Sequence, residues 1–416
     1  MIRFVLADLR RLWAGSLVVI LLVALATALG IAVTLQERAL RLGSARAADK
    51  FDLVVGAAGS ETQLVLSAVF LQAAPLPLVP GKVLHDLSAD PRVTWAAPVG
   101  FGDSFRGFPI IGTTVTLIAG AGGGIAEGKA FDALDQAVVG SAVPLAIGQQ
   151  AKPMHGMPGE GGHVHEGLTY HVVGRMAPTG TPWDRAILVP IEAVWKLHGM
   201  EEAEDHDHHD ADHDEADRAD HHDDEAAPVA LGGPWSDTTP GVPAILVKPK
   251  TIADAYKLRG DYRSGSTLAV FPGEVLTRLY ATLGDAKAVL NWVAIGAQLL
   301  VAAAIALVTI VHVSQRRRQI GALRAFGAPR LAVFGIVWIE LFLLVGIGIL
   351  AGFGLGYGAA RIMSALFTRE NGVVLPVEFT LGDVRLGLVL MAVSALLAAL
   401  PAWLAYREPP AAALRS

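Results

Sequence analysis

Four stretches of the chain stay apolar long enough to cross a bilayer: residues 13–35, 289–313, 331–360 and 386–406. A helix rising about 1.5 Å per residue needs about 20 residues to cross roughly 30 Å of hydrocarbon, so each stretch reads as a spanning helix. The first, Trp13 to Leu35, carries no charge. It outlasts the roughly 7–15 apolar residues of a signal peptide, and Ala45-Arg46-Ala47, which resembles a cleavage site, lies well past its end. A retained helix is predicted. Between the first and second spans, the sequence changes character. Gln36 to Lys50 looks helical, and short β-rich runs follow, among them Phe51–Val55, Thr113–Ile118, Ala186–Val189 and Ala244–Lys248, punctuated by Gly and Pro. This pattern predicts an α+β domain over 36–288, in two lobes.

Basic residues give the spans a direction, because Lys and Arg beside a span stay cytoplasmic. Arg3, Arg10 and Arg11 precede the first span, and Arg316, Arg317, Arg318, Arg324 and Arg330 fill the loop 314–330 between the second and third. The loop 361–385, with Arg369, Glu370, Glu378 and Asp383, has no basic excess. Both termini, including the tail 407–416, are therefore expected inside a bacterial inner membrane, and the large domain outside it. With 53% hydrophobic and 17% charged residues, the chain divides into membrane and soluble parts. Its net charge of -6 argues against nucleic acid as a partner, and the lack of cysteine excludes disulfides and thiolate metal sites.

The loop after the second span reads Gln315-Arg316-Arg317-Arg318-Gln319-Ile320-Gly321-Ala322-Leu323-Arg324-Ala325-Phe326-Gly327-Ala328. Ile320, Leu323 and Phe326 share one side of a short helix whose remainder is basic. Such a helix lies along the cytoplasmic face, where it docks a partner or binds anionic membrane lipids.

The same run closely resembles the signature loop of the MacB, LolC/LolE and FtsX superfamily of ABC permeases. The resemblance implies that the loop is a coupling helix contacting a separate cytoplasmic ABC ATPase, through Arg316, Arg317, Arg318, Gln319, Ile320, Gly321, Leu323, Arg324, Phe326 and Gly327. Gln319 stands where the family commonly carries Glu. The amphipathic start, residues 1–12, resembles the family's elbow helix. Glu127-Gly128-Lys129-Ala130-Phe131 with Ala137-Val138-Val139-Gly140 is similar to the lead-in to its periplasmic core, and Arg407 to Arg415 resembles its tail. The implied fold is a membrane α-helical bundle of four transmembrane helices plus an α+β extracytoplasmic domain of MacB-periplasmic-core type. The permease would work as a homodimer or heterodimer, with ATP bound by the partner subunit.

The third span carries Gly348, Gly352 and Gly356 at spacing four, with Gly354 and Gly358 on a second register. Glycine at that spacing lets helix backbones approach closely, either within one subunit or between two. Glu340 in the same span is expected near the cytoplasmic interface with a polar partner. Gly123 to Lys129 matches the start of a phosphate-binding loop, but Ala130 replaces the Ser or Thr that magnesium needs.

Histidine concentrates in the soluble part. His206, His208, His209, His213, His221 and His222 alternate with Asp and Glu in the tract 201–227, which lacks the apolar residues for a core and is expected to be disordered. His155, His163, His165 and His171 form a sparser group among glycines. Imidazole and carboxylate together suit Zn2+, so both groups are candidate metal ligands, the plain alternative being a solvated acidic linker. The turn from Pro178 to Arg185 is expected to present an exposed Trp183, tied down by Asp184 and Arg185.

Nucleophile, base and orienting acid do not recur at catalytic spacing. The expected function is mechanical, not enzymatic, with no cofactor for catalysis. ATP hydrolysis by the partner subunit would move the coupling helix, and the helices would pass that motion outward to export or extract a lipid, lipoprotein, peptide or chelator, with a link to zinc homeostasis. The alternative is a signalling or scaffold permease that regulates a periplasmic partner protein. In either case a periplasmic metal-binding or substrate protein is an expected partner.

Overall fold

The computed structural model describes residues 13–72, 74–120, 123–155, 169–200, 231–282 and 329–407, together with 10, 288, 289, 292, 295, 296, 299 and 303. The elbow 1–12 apart from Arg10, most of the second span, the loop 314–328, the tract 201–230 and the tail beyond 407 lie outside the described residues. The chain divides into a helical unit (Met1–Leu42, Ala281–Phe367 and Leu375–Ser416) and an α+β unit (Gly43–Tyr280 and Thr368–Val374).

The α+β unit is organised on an 11-stranded mixed sheet whose main path runs β11-β1-β10-β2-β3-β9-β5-β8-β4. Its strands are β1 (Leu53–Ala57), β2 (Val93–Phe105), β3 (Phe108–Thr113), β4 (Ile125–Gly128), β5 (Gln136–Val139), β6 (Gln150–Ala151), β7 (Met154–His155), β8 (Tyr170–Met176), β9 (Ile187–Pro190), β10 (Ala244–Pro249) and β11 (Thr267–Val270). Two half-sheets share the 13-residue β2. Val93–Val99 pairs antiparallel with β10, and Gly100–Phe105 pairs antiparallel with β3 beyond an irregularity between Gly100 and Asp103. The two predicted lobes are thus halves of one continuous sheet.

The strands are apolar at consecutive positions because both faces are covered. Leu53, Val55, Ile110, Val139, Ile187, Val189, Ile245 and Val247 enter one core, while Val54, Ile111, Val138, Leu188 and Leu246 enter a second. Period-two alternation sends successive side chains to opposite faces, so two cores require unbroken apolar runs. Helices close each face. On the first lie α3 (Gly81–Ala89, through Leu84 and Leu87), α5 (Ile191–Leu197, through Val194 and Trp195) and α6 (Ile252–Asp261, through Leu258). On the second lie α2 (Glu61–Ala68, through Leu64 and Val65) and α4 (Val115–Gly120, through Leu117 and Ile118).

Two expectations need correction here. The run Thr113–Ile118 is not a strand: β3 ends at Thr113 and α4 begins at Val115. Leu117 and Ile118 are neighbours buried in the same core, which a helix allows and a pleated strand does not. Trp183 is 3% exposed rather than displayed, because its ring packs on Phe51 with centroids 5.8 Å apart.

In the helical unit, α1 (Trp13–Ala48) and α7 (Arg330–Asn371) are single helices of 36 and 42 residues, and α8 is Leu381–Arg407. Among the described residues, α1 and α7 are long and apolar enough to span a membrane. The third predicted span stops at 360, yet α7 continues through Arg361–Asn371 and replaces the first part of the expected loop 361–385. Helix formers such as Met363, Leu366 and Glu370 carry it on until Gly372, at φ 74°, ends it.

Candidate functional site

The helical unit is built on a close seam between α1 and α7. Gly348, Gly352 and Gly356 occupy successive turns of α7 and face α1. A Cβ on Gly348 would lie 2.7 Å from Val23 Cβ, one on Gly352 would lie 2.5 Å from Thr27 Cβ, and one on Gly356 would lie 2.8 Å from the Ala28 carbonyl oxygen. No side chain fits there, so the backbones approach as only glycine allows. The contacts advance together along both helices, which makes α1 and α7 parallel. Helix α8 runs the other way. The Trp338 indole donates to the Ala395 carbonyl at 2.8 Å, while later in α7 Phe353 meets the earlier Gly387. Gly354 and Gly358 face away from the seam with open space around them.

An ionic clamp closes the unit. The Arg38 guanidinium donates to both oxygens of Asp383, at 2.7 and 3.0 Å, and more weakly to the Glu378 carbonyl at 3.2 Å. Asp383 is 2% exposed and has a second task. Its Oδ2 accepts from the backbone N–H of Thr380 at 2.7 Å and from the Thr380 hydroxyl at 2.9 Å, capping the start of α8. A planar fork on a carboxylate is directional, so the pair fixes the angle between α1 and α8 as well as their distance. Nearby, the Ser364 hydroxyl donates to the Leu375 carbonyl at 2.6 Å, holding α7 to the segment that leads into α8. Glu340 is 9% exposed within α7.

In the α+β unit, Asp184 organises the turn that follows β8. Its Oδ1 accepts from the Thr179 N–H at 2.7 Å and the Thr179 hydroxyl at 2.8 Å, and its Oδ2 from the Gly180 N–H at 2.8 Å. Arg185 lies over the Phe108 ring at 4.7 Å and donates to the Arg369 carbonyl. Both residues tie the turn. The glycine-rich Gly123–Lys129 segment forms β4 and ends with Lys129 paired to Asp132 at 2.6 Å, so no helix follows it as a phosphate loop would require. Arg175 on β8 donates to the carbonyls of Val143 at 2.9 Å and Leu145, holding the segment after β5. Glu192 at the start of α5 accepts from the Gly232 N–H at 2.7 Å, and burial pushes its carboxyl up.

Of the predicted metal ligands, His155 and His171 are among the described residues, on different strands. His155 ends β7 opposite Asp103 of β2, and His171 lies in β8 opposite Gln136 and Gln150. His163, His165, His206, His208, His209, His213, His221 and His222 lie outside the described residues, as do Arg316, Arg317, Arg318, Gln319, Ile320, Gly321, Leu323, Arg324, Phe326 and Gly327. Sequence reading missed Arg38 and Asp383. The pattern Thr380-x-x-Asp383 before an apolar run is a capping signature that points to Asp383, but no local signal pairs it with an arginine 345 positions away.

Comparison with known proteins bears on this architecture at its C-terminal part, where residues 291–411 match the family model described as FtsX-like permease C-terminal. This C-terminal part of the chain is similar to the C-terminal domain of FtsX-like permeases. The matched region holds the glycines of the seam, Ser364, Thr380 and Asp383. FtsX-like permeases are membrane proteins that work with ABC ATPase partners. No curated protein matches this chain.

Proposed function

We propose that this chain is an FtsX-like permease, the transmembrane half of an ABC machine that turns cytoplasmic ATP hydrolysis into movement of an extracytoplasmic α+β domain. The match over 291–411 carries the reading. The arginine-rich loop 314–330 docks a separate ATPase subunit, and α1 and α7 transmit the motion. At about 1.5 Å per residue these helices reach roughly 54 and 63 Å, well beyond the roughly 30 Å of a bilayer core. Parallel α1 and α7 with antiparallel α8 agree with basic flanks on the cytoplasmic side of a bacterial inner membrane and with both termini inside. The cargo is a lipid, lipoprotein, peptide or chelator moved from the outer leaflet or the periplasm. The histidines make zinc the candidate effector.

The test is co-reconstitution in nanodiscs with a candidate cytoplasmic ABC ATPase. Docking through the loop predicts that Arg324→Glu lowers co-purification and stimulated ATPase activity together. A charge-reversed loop that leaves both unchanged overturns the docking assignment. Stimulation by a lipid or peptide supports transport, whereas stimulation only by a bound periplasmic protein replaces transport with signalling.

A further inference from the structure

We propose that His85, Asp86 and Asp237 form a zinc site on the α+β unit, separate from the ten histidines singled out in the sequence. A ring nitrogen of His85 and one carboxylate oxygen each from Asp86 and Asp237 lie within 4.8 Å of one another. Three donors spaced 4.8 Å apart lie about 2.8 Å from the centre of their triangle. A closure of roughly 0.6–0.8 Å reaches the zinc distance of about 2.0–2.2 Å.

The framework holds these groups in place. Lys82, His85 and Asp86 share one face of α3 at spacings of three and four. The loop carrying Trp235 and Asp237 lies against the start of that helix so closely that a Cβ on Gly81 would sit 1.8 Å from the Thr239 carbonyl oxygen. The loop is locked internally by the Ser236 N–H donating to the Thr239 hydroxyl at 2.8 Å, and by the Trp235 ring, edge-on to Trp195 with centroids 5.8 Å apart.

The histidine is also set in one tautomer. Its Nδ1 lies 2.5 Å from the Trp235 carbonyl, and since a carbonyl only accepts, Nδ1 carries the proton. The lone pair of the neutral ring is then on Nε2. Metal-binding histidines are commonly fixed by this kind of backbone contact, which sets the tautomer and raises the basicity of the free nitrogen. One imidazole with two carboxylates favours zinc over calcium or magnesium.

A cation already occupies the focus of the two carboxylates. The Lys82 ammonium lies 3.0 and 3.2 Å from the Asp237 oxygens and 3.3 Å from Asp86. Its side chain is 55% exposed, so it can swing into water with little loss when a dication arrives. Lys82 is therefore a built-in competitor that weakens the site without abolishing it. In the sequence, the six histidines of 206–222 precede Asp237 by 15 to 31 residues, which keeps a chelating tract tethered to the same stretch of chain.

This inference goes beyond the permease reading and stands whether or not the chain drives an ATPase. It is tested by zinc titration of the full chain in detergent against a chromophoric chelator, with His155, His163, His165, His171 and the six tract histidines all replaced by Asn. That variant should retain a single zinc equivalent that excess magnesium does not displace. Lys82→Ala should tighten it about tenfold, the repulsion between an ammonium and a dication a few ångströms apart in water. His85→Ala or Asp237→Asn should remove it. Asp237 is exposed, so its substitution leaves the fold intact and separates lost ligation from lost structure. Loss of all zinc with the ten histidines, zinc binding indifferent to His85 and Asp237, or a Lys82→Ala variant that binds no tighter overturns the site.

Discussion

Alanine placed at Gly352 and at Gly354 should move stability in opposite directions, although the positions are two residues apart on one helix. At Gly352 the new Cβ would lie 2.5 Å from Thr27 Cβ and 2.7 Å from the Ala24 carbonyl oxygen. Favourable carbon contacts lie near 3.5–4.0 Å, so α1 and α7 would have to part by about 1 Å. Overpacking of this kind costs about 1–3 kcal/mol. The better helix propensity of Ala returns about 0.8–1.0 kcal/mol, leaving a net loss of up to about 2 kcal/mol. At Gly354 a Cβ meets nothing within 4 Å. Only the propensity term acts there, and Gly354→Ala should gain up to about 1 kcal/mol. Denaturant unfolding of the full chain in mixed micelles, followed through its eight tryptophans, measures both variants. If Gly352→Ala is as stable as the parent, or Gly354→Ala falls with it, the seam is not packed as described.

Further outcomes follow from the polar contacts. Arg38→Ala strands the buried Asp383 carboxylate and should cost about 2–3 kcal/mol, below the full value for a wholly buried pair because Arg38 is partly exposed; Arg38→Lys recovers only part of it. The same unfolding assay reads both. Asp184→Ala removes three charge-assisted acceptor contacts from the Thr179–Asp184 turn and should cost about 2–4 kcal/mol, read as a lower melting temperature. The Arg92 guanidinium, bonded to Asp90 at 2.7 Å, holds the Asp90 carboxyl below the usual carboxylate range. A depressed folded pKa adds stability that is complete above the unfolded value of about 3.9 and is lost as pH falls through the folded one. Asp90→Asn should therefore flatten the acid limb of the melting-temperature profile and leave its slope near neutral pH unchanged.

Local features were the readable ones. Apolar length marked α1 and α7, because lipid and core both demand unbroken apolar surface, and glycine spacing marked the seam because backbone approach needs the same residue at every turn. Which helix the seam faces was not readable: Gly352 meets Thr27 across more than three hundred residues, and spacing on one helix carries nothing about its neighbour. The same blindness hid the clamp. Asp383 looked like one more acid in a loop, although its partner, Arg38, lies in the N-terminal helix. Trp183 misled for a related reason. Prolines and glycine do make the turn around it, but a turn's backbone does not decide whether its indole points to water or onto Phe51. His85, Asp86 and Asp237 stand out only once α3 and the Trp235 loop are brought together, whereas dense histidine tracts attract notice whatever their geometry.

The ties within the helical unit bear on how it can move. One packed helix can slide past another by a turn, about 5.4 Å, if each side repeats at that interval, and glycines every four residues on α7 offer such a repeat. Sliding α7 along α1 is nonetheless opposed at both ends. The Trp338 bond to Ala395 and the Ser364 bond to Leu375 are 26 residues apart on α7, roughly 39 Å, and each reaches no further than a hydrogen bond. A one-turn slide breaks the Trp338 bond unless α8 travels too, and α8 is fixed to α1 through Asp383 and Arg38. The three helices therefore form a closed loop of contacts in which no pair can shear alone. Motion then takes the form of tilting as one block, and cutting the loop at Arg38 should loosen coupling to ATP hydrolysis more than it lowers binding of the ATPase. If an Arg38→Ala permease keeps stimulated ATPase activity in full, the block is not what transmits the motion.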